Sequence, residues 1–85
     1  MEKGQLFRVQ HKGNDNSYKS DVFVFHAEDD RIVLASKINL TTGLAEDYVM
    51  ILNKYDWYFS DVGPDIIQFI QDRLTKSTVT EAATV

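Results

Sequence analysis

A chain of 85 residues with 44% apolar side chains, among them five Phe, four Tyr and one Trp, can fill one core and excludes a second domain. The absence of cysteine excludes thiol catalysis, disulfide scaffolding and cysteine-ligated zinc, and it fits the cytoplasm better than a secreted context. Net charge is −4, and residues 26–65 hold eight acids against Arg31, Lys37 and Lys54. That balance argues against loose binding to a nucleic-acid backbone, which needs clustered Lys and Arg, and favours a protein partner with a basic surface.

The first residues, Met1 to Gln5, contain no apolar leader, and no later run approaches the roughly 18–20 apolar residues of a membrane span. No membrane partner is therefore expected. Gln5 to His11 alternates as a strand, with Phe7, Val9 and His11 on one face and Leu6, Arg8 and Gln10 on the other. Turn formers fill residues 12–17. Asp21 to His26 is the clearest strand, because its Val22-Phe23-Val24-Phe25 centre suits contact on both faces of a sheet. A tight polar turn at Glu28-Asp29-Asp30 leads into a third strand over Arg31–Ile38. Short connections make these three an antiparallel meander.

Residues 44–55 satisfy two periods. Leu44, Tyr48, Ile51, Leu52 and Tyr55 fall at helical spacing, yet Tyr48-Val49-Met50-Ile51-Leu52 also reads as a short buried strand. The β-branched and aromatic content favours a hairpin, with a turn at 53–56 and a strand over Trp57–Ser60. Pro64 marks the first turn of a closing helix over 64–75, with Asp61 or Gly63 as cap. Ile66, Ile67, Phe69, Ile70 and Leu74 form its apolar stripe, and Arg73 and Lys76 stand near its C-terminal end. The fold class expected is α+β, an antiparallel β-meander of three to five strands with one C-terminal α-helix packed on the sheet. Residues 1–76 form the single domain, and the Ser/Thr/Ala-rich segment 77–85 is expected to be a flexible tail.

Chemistry is sparse. His11 and His26 could approach one another if the first two strands pair, but two histidines and a nearby Asp29 or Asp30 fall short of a metal site. Asn14-Asp15-Asn16 begins like a calcium loop and lacks its glycine and distal glutamate. No nucleophile elbow, phosphate loop or zinc-protease motif occurs, so neither enzymatic activity nor a cofactor is expected.

The aromatic residues point to binding instead. Tyr48, Tyr55, Trp57, Tyr58 and Phe59 crowd together among Asp47, Asp56 and Asp61. Along a strand, Trp57 and Phe59 share one face and Tyr58 takes the other, so the rings cannot all turn inward. The candidate partner-binding residues are Asp47, Tyr55, Asp56, Trp57, Tyr58 and Asp61, with Tyr58 as anchor and the carboxylates as a charged rim. The alternative is a single-stranded nucleic-acid-binding sheet that stacks bases on Phe7, Phe23 and Phe25 beside Arg8, Lys12 and Lys19. A short, acidic, cysteine-free chain acting alone or as a homodimer also fits, in style only, phage or mobile-element inhibitors that occlude a surface on a larger complex.

Overall fold

The computed structural model describes the backbone of residues 1–13 and 15–84, and side chains over the same span as far as Thr75. Five strands and one helix follow in chain order: β1 (Leu6–His11), β2 (Phe23–Glu28), β3 (Ile32–Lys37), β4 (Met50–Asn53), β5 (Trp57–Asp61) and α1 (Pro64–Thr84). The strands form one antiparallel sheet in the order β4-β3-β2-β1-β5. The α+β class and the meander of the first three strands agree with the sequence reading. The hairpin over 44–60 does not. β4 and β5 are joined by a turn but pair with different neighbours, β4 with β3 and β5 with β1.

That pairing forces the sheet to roll. Four steps of about 4.8 Å would hold the outer strands of a flat sheet roughly 19 Å apart. Here the Asp56 N–H donates to the Asn53 carbonyl at 3.0 Å, a turn that brings the two Cα atoms within about 7 Å. The ends of β4 and β5 therefore meet, and the sheet closes at this pole into a partial barrel. Backbone bonds from Lys54 N–H to the Arg31 carbonyl and from Lys12 N–H to the Asp56 carbonyl, both 2.8 Å, fasten the turn to its neighbours.

Rolling a sheet whose strands alternate on both faces creates two cores. Phe7, Val9, Phe23, Phe25, Val33 and Leu52 turn inward and fill the barrel. Phe7 and Phe23 stack with centroids 5.8 Å apart and are wholly buried. Each such side chain contributes about 1.5–3 kcal/mol of burial. Tyr18, from the β1–β2 connection, packs against this cluster, as does Trp57. The opposite face carries Leu6, Val22 and Val24, and α1 covers it with Ile67, Ile70 and Leu74, together with Ile38 and Val62. The helix is an external layer.

Gly63 supplies the first helical acceptor, since its carbonyl takes the Ile66 and Ile67 N–H groups at 3.1 and 3.2 Å. Asp65 sits in the first turn, where the helix dipole favours a carboxylate. The helix continues to Thr84, so Arg73 stands mid-helix and not near its end, with its guanidinium 4.9 Å from the Phe69 ring centroid. Ile66 and Phe69, expected in the stripe, are 36% and 41% exposed, whereas Ile70 is 3% exposed. The inward face runs through 67, 70 and 74. The domain limit at 76 and the flexible tail over 77–85 concern side chains outside the described residues, although the helical backbone reaches Thr84.

Between β3 and β4 the chain makes an excursion over 38–49. Asn39 organises it, accepting the Thr41 and Thr42 N–H groups on Oδ1 at 2.9 and 3.3 Å and the Gly43 N–H on its carbonyl at 2.7 Å. Gly43 has φ 78° and lies against the helix, where an added Cβ would stand 3.0 Å from the Ile70 carbonyl oxygen. Ser36 is buried on β3. Its hydroxyl donates to the Tyr48 carbonyl at 3.0 Å and lies 2.7 Å from His26 Nε2.

Candidate binding surface at the closed pole

The turn that closes the barrel also presents side chains. Asn53 Oδ1 accepts the Tyr55 N–H at 2.8 Å, which fixes the turn and sends the Tyr55 ring into solvent, 74% exposed. Asp56 follows, exposed, with its main-chain groups held by Asn53 and Lys12. Strand alternation then divides the next two rings as the sequence suggests. Trp57 lies opposite His11 and packs inward, 4.8 Å edge-on from the His11 ring and 5.6 Å from Tyr18. Tyr58 lies opposite Gln10 on the outer face and is 59% exposed.

Four of the expected site residues are thus brought together, Tyr55, Asp56, Trp57 and Tyr58. Two are not. Asp61 pairs with Phe7 at the far end of β5, about 13 Å along the strand from Trp57 by the usual rise per residue. There it accepts a 3.4 Å bond from the Gln5 side-chain amide. Asp47 precedes β4, at the end remote from the turn.

Residues outside the expected protein-binding set also shape the pole. Lys12 Nζ sits 5.0 Å over the Tyr58 ring, a cation–π contact from the β1–β2 connection. Lys54 Nζ lies 3.0 Å from Glu28 Oε1 and also bonds the Asp29 carbonyl. The Lys54 hydrogen bond, aided by its charge and that of the N-terminal ammonium, holds the Glu28 carboxyl below its ordinary range. Asp29 is lowered by the Arg31 and Ile32 N–H groups that its carboxylate caps, and Asp15 by hydrogen bonds from Ser17. None of these three is an acid poised near neutrality. The pole is a mixed-charge rim around exposed rings, more balanced than the acidic segment suggests. Lys12 is remote from the rings in sequence and reaches them only through strand pairing, whereas Lys54 adjoins Tyr55 in the turn itself.

A cavity of about 350 Å³ runs along the β1–β5 seam from Trp57 and His11 at the pole to Asp61 at the far end, lined also by Arg8, Asp15 and Lys19. Arg8 spans part of it by donating to the Lys19 carbonyl at 3.0 Å. The histidines do not converge. His11 faces Trp57, with Nδ1 accepting the Gly13 N–H at 3.0 Å, while His26 bonds Ser36. Among the described residues no group of three His, Asp or Glu side chains converges on one point. The base-stacking platform is also corrected, because Phe7, Phe23 and Phe25 are buried inside the barrel and present no face to a base. Among the described residues no helix is long and apolar enough to cross a membrane.

Comparison with known proteins finds no matching family model, no matching curated protein and no matching solved structure.

Proposed function

We propose that this chain is a non-enzymatic, cytoplasmic protein-binding module that docks the closed pole onto a basic surface and acts by occluding it. The observation that carries the reading is the pair of tyrosine rings at the turn, Tyr55 and Tyr58, both more than half exposed on a fixed backbone. Exposed tyrosines on rigid elements combine large contact area with little ordering cost, and they are over-represented among residues that dominate binding. Asp56 between them supplies a carboxylate for an incoming Arg or Lys. The lowered pKa values of Asp15, Glu28 and Asp29 favour ionised structural carboxylates over acid–base catalysts.

Co-purification from host lysate at low and high salt identifies the partner, and titration of folded variants tests the surface. Tyr58→Ala should cost at least about 2 kcal/mol, roughly 30-fold in Kd, through faster dissociation. Asp56→Lys should slow association, an effect that fades as salt shortens the Debye length to about 3 Å at 1 M. If both variants bind with wild-type affinity, the pole is structural and the reading fails.

A further inference from the structure

The cavity along the β1–β5 seam is lined by consecutive residues, Arg8 to His11 on β1 and Ser60 with Asp61 on β5, so it reaches both faces of the sheet. A break in the wall allows this. The ladder of β1 with β2 stops at Phe7–Phe23, although β1 runs on to His11. Asp21, next in register to face Val9, donates its N–H to the Tyr18 carbonyl instead. Alternate residues of an antiparallel strand turn their main-chain groups to the same side. The Lys12 N–H turns to Asp56 beside β5, and the Gln5 carbonyl turns to Phe25 on β2, so the groups of Val9 point into the break. Val9 is 4% exposed, and main-chain groups buried to that degree nearly always have a partner. The cavity also holds both signs of charge, Arg8 and Lys19 against Asp15 and Asp61. Among the described residues none of these four takes part in an ion pair.

We propose that this cavity binds a free α-amino acid with a large apolar or aromatic side chain. Two cations and two carboxylates that the fold holds apart in one cavity match a single molecule carrying both charges. A phosphate would meet the same two carboxylates with no positive group to offer them. The carboxylate of the ligand goes to Arg8 and Lys19. Arg8 spends one donor of its five on the Lys19 carbonyl, which leaves a guanidinium able to take a carboxylate and holds the Lys19 backbone beside it. The ammonium goes to Asp61, whose one bond is the long contact with Gln5, and the Val9 carbonyl is a further acceptor. Asp15 is committed elsewhere, because its Oδ1 takes both the N–H and the hydroxyl of Ser17. The register fixes where the side chain lies. Ser60 faces Arg8 at the charged end, and Trp57 faces His11 three residues on, about 10 Å away at the usual rise. A side chain leaving the charged head along the seam therefore runs toward the indole. At about 350 Å³ the cavity stands at the lower end of the range of roughly 300–1,000 Å³ usual for small ligands.

Trp57 is the one tryptophan of the chain and lines the cavity, so its fluorescence reports occupancy without a label. Titration of the full chain with L-phenylalanine should give a saturable change at millimolar or lower concentration, with amide NMR shifts confined to the cavity-lining residues. Two analogues dissect the head group. 3-Phenylpropionate lacks the ammonium and 2-phenylethylamine lacks the carboxylate, and each should bind at least about tenfold more weakly, the equivalent of one charged hydrogen bond. Lys19→Gln and Asp61→Asn should each weaken L-phenylalanine by a similar factor. Lys19→Gln keeps the backbone carbonyl that Arg8 holds, so its loss of binding is not a loss of the tether, and circular dichroism checks that both variants fold. Tyr58→Ala, which removes the proposed protein-binding anchor, should leave amino-acid binding unchanged, so the two readings stand or fall separately. No saturable change by fluorescence or NMR in the wild type overturns the proposal. So does binding that both folded variants retain in full, or 3-phenylpropionate binding as tightly as L-phenylalanine.

Discussion

At the scale of single residues, two glycines separate backbone strain from packing. Gly4 and Gly43 both have positive φ, 87° and 78°, but a Cβ at Gly4 meets nothing within 4 Å, whereas one at Gly43 would press on Arg73 and Ile70. Left-handed backbone costs an alanine about 1–2 kcal/mol. Gly4→Ala should lose that amount in urea unfolding, and Gly43→Ala should lose clearly more, because the loop must lift off the helix. Equal losses would mean that the loop is not seated there. The same scale shows what alternation can reveal. Tyr58 was legible as an outward ring because its neighbours Trp57 and Phe59 claim the inward positions. Lys12 over its face was not, since nothing local links residue 12 to residue 58; the β1–β5 ladder does.

At the scale of elements, strand periods located β1, β2 and β3, and Pro64 located the start of the helix, because each signal is local. Pair partners are not local. The two strands flanking the turn at 53–56 look like a hairpin, and only the rolled sheet assigns them to opposite edges. The helix shows a finer version of this limit. Its apolar residues span more of the circumference than the barrel can cover, and contact with Val22, Ile38 and Val62 selects the face through 67, 70 and 74. Ile70→Ala should therefore destabilise by about 2–5 kcal/mol, as buried methylenes are replaced by a cavity. Ile66→Ala, at a position 36% exposed, should cost less than about 1 kcal/mol. Calorimetric melts of the two variants check the difference, and similar losses would place both side chains in the core.

At the scale of the whole molecule, the barrel interior and the helix–barrel layer are separate apolar clusters joined through the strands that alternate between them. β1 and β2 are the shared wall, with Phe7 and Phe23 on one side and Leu6, Val22 and Val24 on the other. A substitution in either strand is felt on two fronts, whereas a change in β4 or α1 reaches only one cluster. The pairing of β1 with β5 also has a consequence in time. It sets Phe7 against Asp61, and so encloses most of the chain, whereas β2 and β3 meet across a short turn that the Asp29 carboxylate caps at 2.7 and 2.9 Å. Closing a long loop costs entropy before any contact repays it, so the local ladder has the head start and the β1–β5 seam is the late event. In stopped-flow experiments Asp29→Ala should mainly slow folding, and Phe59→Ala on β5 should mainly hasten unfolding. The opposite partition would mean that the barrel begins to form at its seam.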